Sequence, residues 1–410
     1  MIEVTYEKFS KYQKKKTVYI YIFLLWILPI MDSLNGFING GGNENGLSLG
    51  IVYRFVIVIV SIFYLLIYGI NKKYLIYFLS FCTFLVISMA INNGEDSFSY
   101  LILLFKLVLP IIIIITIDSL AKKKLFRKEH LTFLMNSWTI IFPLTLLLAY
   151  VLGIGFSTYG DGTSMGGRNV GFKGLYFAQN DISYIIDILY LYVMNKIFKH
   201  VSPRTIFEYL MVLSSSILMG LKGNYLIIIL ITIACLFKSE SSLSRNFRKT
   251  LLFMLIVLSI LAFLSFFANE INQIIERWQY FYNKNSLISF LTSARSDRLA
   301  PTFSWLFANY GIVGLLCGSG YNYTNIVISK FIEMDPFDII LQLGLIGFIF
   351  VYGFYVKLYL NNRNVVFYST AFLLTLLIST LSGHVFETAL SGVFLGVICS
   401  GLIISGENKI

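Results

Sequence analysis

The sequence predicts an all-α fold: a polytopic integral membrane protein with about twelve transmembrane helices. Two observations carry that class. Of 410 residues, 57% are hydrophobic and only 13% charged, a balance that excludes a soluble globular domain. The apolar residues also fall in runs of bilayer-spanning length, and the basic residues cluster in alternate loops between those runs.

The runs lie near 18–37, 49–70, 74–91, 98–119, 131–152, 178–195, 205–220, 224–237, 250–268, 336–356, 364–382 and 386–405, each bounded by turn or charge signals. The first is longer than a signal-peptide core, and no small-residue cleavage site follows it, so it reads as a retained helix. The N-terminal segment carries Lys8, Lys11, Lys14, Lys15 and Lys16. Alternate loops carry Lys72 and Lys73, Lys122 to Lys124 with Arg127 and Lys128, Lys196, Lys199 and Arg204, Lys238 to Lys249, Lys357 and Arg363, and finally Lys409. By the positive-inside rule these ends are cytoplasmic, both termini included. The loops at 38–48 and 92–97 hold Glu44, Glu95 and Asp96 but no lysine or arginine, and read as external. The net charge of +11 is therefore a topology signal that also suits anionic lipid headgroups, and it is no argument for nucleic acid as a partner. Cys82, Cys235, Cys317 and Cys399 sit in apolar stretches without ligand spacing, so neither a disulfide framework nor a thiolate metal site is indicated.

The remaining basic residues, Arg54, Lys106, Arg168, Lys173, Lys222, Arg277, Lys284, Arg295, Arg298 and Lys330, all fall outside the membrane or in its outer half. A charge inside a transmembrane helix costs about 2.5–3.5 kcal/mol on insertion scales, so a gathering in one leaflet argues for a polar cavity that opens outward. Structural ion pairs such as Asp32 with Arg54 are the alternative for any single residue. The whole chain, 1–410, reads as one polytopic domain with two long external segments, at about 153–177 and 269–335. The apolar patch at 300–317, interrupted by Asn309 and Gly311, reads as helices on or dipping into the outer leaflet.

Several motifs in order carry a resemblance. ERWQYF at 276–281, SARSDRLAPTFSWLF at 293–307 and GSGYNYTN at 318–325 are followed by EMDPFDIILQLGLIG at 333–347 and SGHVFET at 382–388; RNVGFKGLYFAQNDIS at 168–183 and LMGLKGNYLIII at 218–229 precede them. In this order they resemble the O-antigen polymerase and ligase superfamily, and within it the Wzy-type polysaccharide polymerases. The resemblance implies a GT-C-like helical fold with a large external region between spans nine and ten. It implies glycosyl transfer between polyprenyl-diphosphate-linked oligosaccharides on the outer face of a bacterial plasma membrane, beside other assembly proteins such as a flippase and a chain-length regulator. It places Arg295 on the family arginine with Arg298 beside it, and marks Arg168, Lys222, Arg277, Asn180 and Asp181 as substrate contacts. Lys222 stands where the family usually has arginine, which puts bidentate recognition there in doubt. Glu333 stands where ligases of the superfamily usually have a histidine–asparagine pair, so the polymerase reading is preferred to the ligase one.

The chemistry agrees with what is implied. A diphosphate leaving group needs cationic partners, and an acceptor hydroxyl needs a base. Arg295, Arg298, Arg168 and Lys222 suit the first task, and Glu333, His384 or Asp335 the second. Asp335 before Pro336 equally suits a helix N-cap, with Asp338 favouring the helix dipole, and His384 equally suits a cap or a pair with Glu387. Trp278, Tyr280 and Tyr282 suit interface anchors as well as sugar stacking. The external half shows no carboxylate set at metal-ligand spacing other than Glu333, Asp335 and Asp338, and basic residues already offer the charge a metal would bring. The expectation is transfer without a metal or other cofactor. A flippase or transporter is the rival from another class, disfavoured because no paired Gly- or Pro-broken helices or internal repeats are evident.

Overall fold

The computed structural model describes residues 18–39, 48–92, 97–159, 170–237, 254, 268–320, 332–381 and 383–406. Arg168, Lys330, the N-terminal lysines, the basic residues between 238 and 249, Lys409, the external loops around Glu44 and Glu95, and most of the expected span at 250–268 lie outside them.

The helices are α1 (Val18–Trp26), α2 (Leu28–Ile38), α3 (Leu49–Tyr68), α4 (Lys72–Asn92), α5 (Ser97–Lys122), α6 (Lys128–Val151), α7 (Gln179–Lys199), α8 (Pro203–Met219), α9 (Lys222–Phe237), α10 (Ala268–Lys284), α11 (Leu287–Leu291), α12 (Ser296–Cys317), α13 (Asp335–Asn362), α14 (Val366–Leu381) and α15 (Ala389–Gly406), with strands β1 (Phe156–Tyr159) and β2 (Val170–Gly174) between α6 and α7. Seven of the described helices are long and apolar enough to cross a membrane, or eight if α1 and α2, which meet at a 46° bend, form one span. The protein is thus a helical, multi-pass membrane protein.

Every expected span outside 250–268 is a helix, yet several fall short of a span by length or composition. The helix α7 carries Asp181, Asp187, Lys196 and Lys199. At 17 residues for α8 and 16 each for α9 and α14, the helical rise gives about 24–26 Å against a hydrocarbon core of about 30 Å. Conversely, α12 passes on length and hydropathy, where the sequence predicts no single span. It is not one straight rod: Gly311 has φ 55°, and the turn breaks there. The longer piece, residues 296–310, covers only about 22 Å at the helical rise.

Two sequence expectations are corrected. The segment at 153–177 is not all loop, because β1 and β2 pair antiparallel with Phe156 opposite Gly174 and Tyr159 opposite Val170. Glycine permits this: Gly171 has φ +70°, and a Cβ there would meet the Met219 carbonyl oxygen at 2.4 Å. Broken helices are also present. Gly344 interrupts α13 with φ 68°, and the carbonyls of Leu341 and Gln342 freed near that break accept from the N–H groups of Ser319 and Gly320 at 2.8 and 3.1 Å. The end of α12 meets the break in α13, for a Cβ on Gly318, the residue that caps α12, would lie 2.2 Å from the Gln342 oxygen and one on Gly344 2.2 Å from Leu316. A glycine in an apolar run reads as packing in sequence, and only the backbone dihedrals separate that from a break.

The chain forms two compact units, one of residues 1–28, 50–134 and 295–410, the other of 29–49 and 135–294. They interleave in sequence, so no shift of composition marks them, and the sequence reads as one domain. In the first unit α15 is buried along nearly its whole length and α5 presents the buried run Ile111 to Ile115. Gly392 and Gly396 let these helices approach: a Cβ on Gly396 would stand 2.9 Å from Ile113, the small-residue packing that brings backbones together in lipid. The helix α13 runs along α4, with Phe350 stacked on Phe84 at 5.5 Å. In the second unit α7 is the buried element, with Tyr190 bonded to Thr232 of α9 at 2.8 Å. At its C-terminal end Lys196 pairs with Glu208 of α8, and Arg204 pairs with the same carboxylate at 3.1 Å.

Introduced single cysteines test the orientation, in a chain whose four native cysteines are replaced by alanine. Positions 284 and 123 are both exposed. An impermeant thiol reagent applied to intact cells is expected to label 284 and spare 123; the reverse pattern would invert the charge-based topology.

Candidate active site

The start of α13 places three polar residues of one apolar helix on a common face, because Asp335, Asp338 and Gln342 recur at i, i+3 and i+7. All three are 0% exposed. Asp338 turns back on the preceding loop and accepts from the N–H groups of Ile332 and Met334 at 3.0 and 2.9 Å. Those bonds fix the chain on either side of Glu333. Asp335 does not cap its own helix, as the sequence allowed. Met334 is the N-cap residue and Asp335 is already helical. Its Oδ2 instead accepts from the N–H groups of Val385 and Phe386 at 2.7 and 3.0 Å, tying the segment before α15 to α13.

Glu333 pairs with Arg295: the guanidinium Nη2 and Nε donate to Oε2 at 2.8 and 3.2 Å. Arg298 Nη1 lies 4.0 Å from Oε1 and donates to the Ile332 carbonyl at 3.5 Å. The backbone around this pair is strained. Ser293, Ala294 and Glu333 have φ of 55°, 63° and 67°, and among the described non-glycine residues only Lys124 shares that region. Each such residue costs on the order of 1–3 kcal/mol and persists only where its surroundings demand it. Three of them flanking one ion pair mark it as a built feature. Burial acts to raise the Glu333 pKa, but the positive charges of Arg295, His384 and Arg298 more than offset it and hold the carboxyl below its usual range.

His384 lies in the bend before α15, which begins only at Ala389, so it does not start that helix as expected. Its Nδ1 stands 3.4 Å from Asp335 Oδ1 and 3.6 Å from Glu387 Oε2, and Gln342 Nε2 donates to that same glutamate oxygen at 3.2 Å. Burial acts to lower the imidazole pKa, but the contact with Asp335 and the charges of Asp338 and Glu387 outweigh it and push it up to about 10. Asp335 and Asp338 thus favour the protonated imidazole. Burial, with Asp338 beside it, pushes Glu387 well above the carboxylate range. The ligand atoms of Asp335, His384 and Glu387 lie within 4.8 Å of one another, close enough to converge on one cation. Sequence spacing shows no such set, since its members come from two segments far apart in the chain.

The first unit thus brings together Arg295, Arg298, Glu333, Asp335 and His384 from the expected residues, and adds Asp338, Gln342 and Glu387. The i, i+3, i+7 pattern was a readable signal for the first two additions, and the position three residues after His384 for the third. The remaining described candidates are in the second unit. Lys222 Nζ donates to the Phe290 carbonyl at 2.6 Å and lies over that ring at 4.1 Å, a structural anchorage. Arg277 stacks on Tyr159 at 3.7 Å, its Nη1 is buried without a hydrogen-bond partner among the described residues, and burial lowers its pKa. Asn180 and Asp181 occupy the first turn of α7, where an acidic side chain favours the dipole. Trp278 is half-buried and packs edge-on against Tyr225 at 5.5 Å.

Asp335→Asn is expected to lower thermal stability more than substrate affinity, since two buried charge-assisted bonds weaken; such bonds are worth about 1.5–3 kcal/mol each. Melting of the purified protein checks this, and an unchanged Tm with lost activity would move Asp335 into the chemistry.

Fold and site together define a multi-pass helical membrane protein with a buried cluster of arginine, histidine and carboxylate side chains. No family model matches the sequence, and no curated protein matches it.

Proposed function

We propose that the protein is a membrane glycosyltransferase that joins polyprenyl-diphosphate-linked oligosaccharide repeat units into a polysaccharide on the outer face of a bacterial plasma membrane. It would cross that membrane twelve times, with both termini cytoplasmic. The observation that carries the reading is the strained Arg295–Glu333 pair beside Arg298 and a cationic His384. The motif order that resembles Wzy-type polymerases supplies the substrate class.

The pair suggests an exchange. A diphosphate takes Arg295 and Arg298 in bidentate, charge-assisted bonds, and Glu333 loses the charges that hold its pKa down while its burial remains. Its basicity then rises when substrate is bound. The acceptor hydroxyl attacks the anomeric carbon as the bond to the diphosphate oxygen breaks. The hydroxyl proton passes to Glu333, and the leaving diphosphate keeps the bonding pair against the arginines. Protonated His384 suits leaving-group stabilisation rather than the base role, because an imidazolium accepts no proton. No metal is assigned a step.

A flippase for lipid-linked oligosaccharide is the second reading, favoured by the broken helices at Gly311 and Gly344, since discontinuous helices line many transport sites. The glycans of a deletion strain separate the two. Single repeats in place of long chains support the polymerase; loss of all surface repeats supports the flippase and overturns the first reading.

A further inference from the structure

A groove of about 510 Å³ runs between the N-terminal end of α4 and the second half of α13 in the first unit, lined by Tyr74, Tyr77, Phe350 and Phe354 with Lys73 and Lys357 at one end. We propose that it holds one anionic glycerophospholipid of the cytoplasmic leaflet, a site independent of the transfer chemistry. Tyr77 donates to the Phe350 carbonyl at 2.6 Å and stacks on Phe354 at 5.0 Å, which fixes an aromatic floor. Gly353 opens the wall, for a Cβ there would touch nothing nearer than Ile349 at 3.9 Å. Towards the far end Ile349 is 67% exposed.

Length matches one leaflet. From Ile346 to Lys357 the helical rise gives about 16 Å, close to half of a hydrocarbon core of about 30 Å. With Ile346 at the midplane, the lysine ammonium stands at headgroup depth. Charge matches as well. Lys73 and Lys357 are both exposed, and they belong to loops that the positive-inside rule assigns to the cytoplasm. The neighbouring loop agrees, because Lys122 lies over the Tyr74 ring at 5.7 Å. Asp118, on the same side, is paired with Lys122 at 2.5 Å and so repels a phosphate little. Basic grooves between membrane helices on this side are the recognised setting for anionic headgroups. Free phosphate would not need the aromatic wall.

The test is native mass spectrometry of the full-length protein in mild detergent, with phosphatidylglycerol and phosphatidylcholine added in turn. Wild type is expected to retain phosphatidylglycerol in clear preference. Lys73→Glu with Lys357→Glu should weaken that retention by about 25-fold or more, at about fivefold for each lysine removed. Gly353→Phe should fill the groove and reduce binding of both lipids, while Lys123→Glu, an exposed change outside the groove, should leave retention as in wild type. Equal retention of the two lipids by wild type, unchanged retention in the double variant, or an equal loss in Lys123→Glu would each overturn the site.

Discussion

Arg295→Ala is expected to leave the protein in the membrane and to remove long polymer. Its guanidinium is nearly buried and already bound to a carboxylate by two donors, so the group is oriented before a diphosphate arrives. Removing one preorganised donor group to a developing charge typically costs about 10² to 10³ in kcat, and Arg298→Ala should follow the same direction. Lysine at 295 should rescue poorly, because a point charge cannot reproduce the fork. A structural explanation must be separated from this one, since the alanine also strands Glu333. The double variant Arg295→Ala with Glu333→Gln does so. If the pair only holds the fold, removing both charges restores polymer; if Arg295 binds diphosphate, the double variant stays inactive. Wild-type chain length in Arg295→Ala would end the diphosphate assignment.

The second large effect is expected at Glu333. General-base help is worth about 10² to 10⁴ in rate, and Glu333→Gln should lose turnover within that range. Substrate binding should survive or tighten, because the glutamine no longer competes with the diphosphate for Arg295 and Arg298. A fall in kcat with an equal or lower KM is therefore the signature. The assay is purified protein with a lipid-diphosphate repeat, run in EDTA. Full activity of Glu333→Gln would remove the base assignment. Activity that vanishes in EDTA and returns with magnesium would turn the Asp335, His384 and Glu387 set into a cation site and reject the metal-free mechanism. Acidity offers a further check with a defined sign. The Glu333 pKa is depressed in the folded protein, so the stability its ion pair contributes is present above the ordinary glutamate value of about 4.3 and is lost as pH falls through the lower folded value. Part of the acid sensitivity of the wild-type Tm should disappear in Glu333→Gln.

The amino-acid sequence by itself determined the class. Long apolar runs have one favourable environment, and a backbone in lipid must satisfy its own hydrogen bonds, so composition and periodicity predict membrane helices without reference to partners. The motifs at 293–307, 333–347 and 382–388 also singled out Arg295, Arg298, Glu333 and His384, through the resemblance they carry. Tertiary structure decided what those residues do to each other. The sequence offers Glu333 first and His384 second as base; the arginines beside one and the carboxylates around the other push their proton affinities in opposite directions, and all of those neighbours but Glu387 are remote in the chain. The same holds for Asp335, whose position before a proline suggests a cap, while its bonds run to a segment some fifty residues away. The breaks at Gly311 and Gly344 were hidden too. A glycine's local freedom is a permission, and only packing against Gly318 and Leu316 turned the one at 344 into a broken helix.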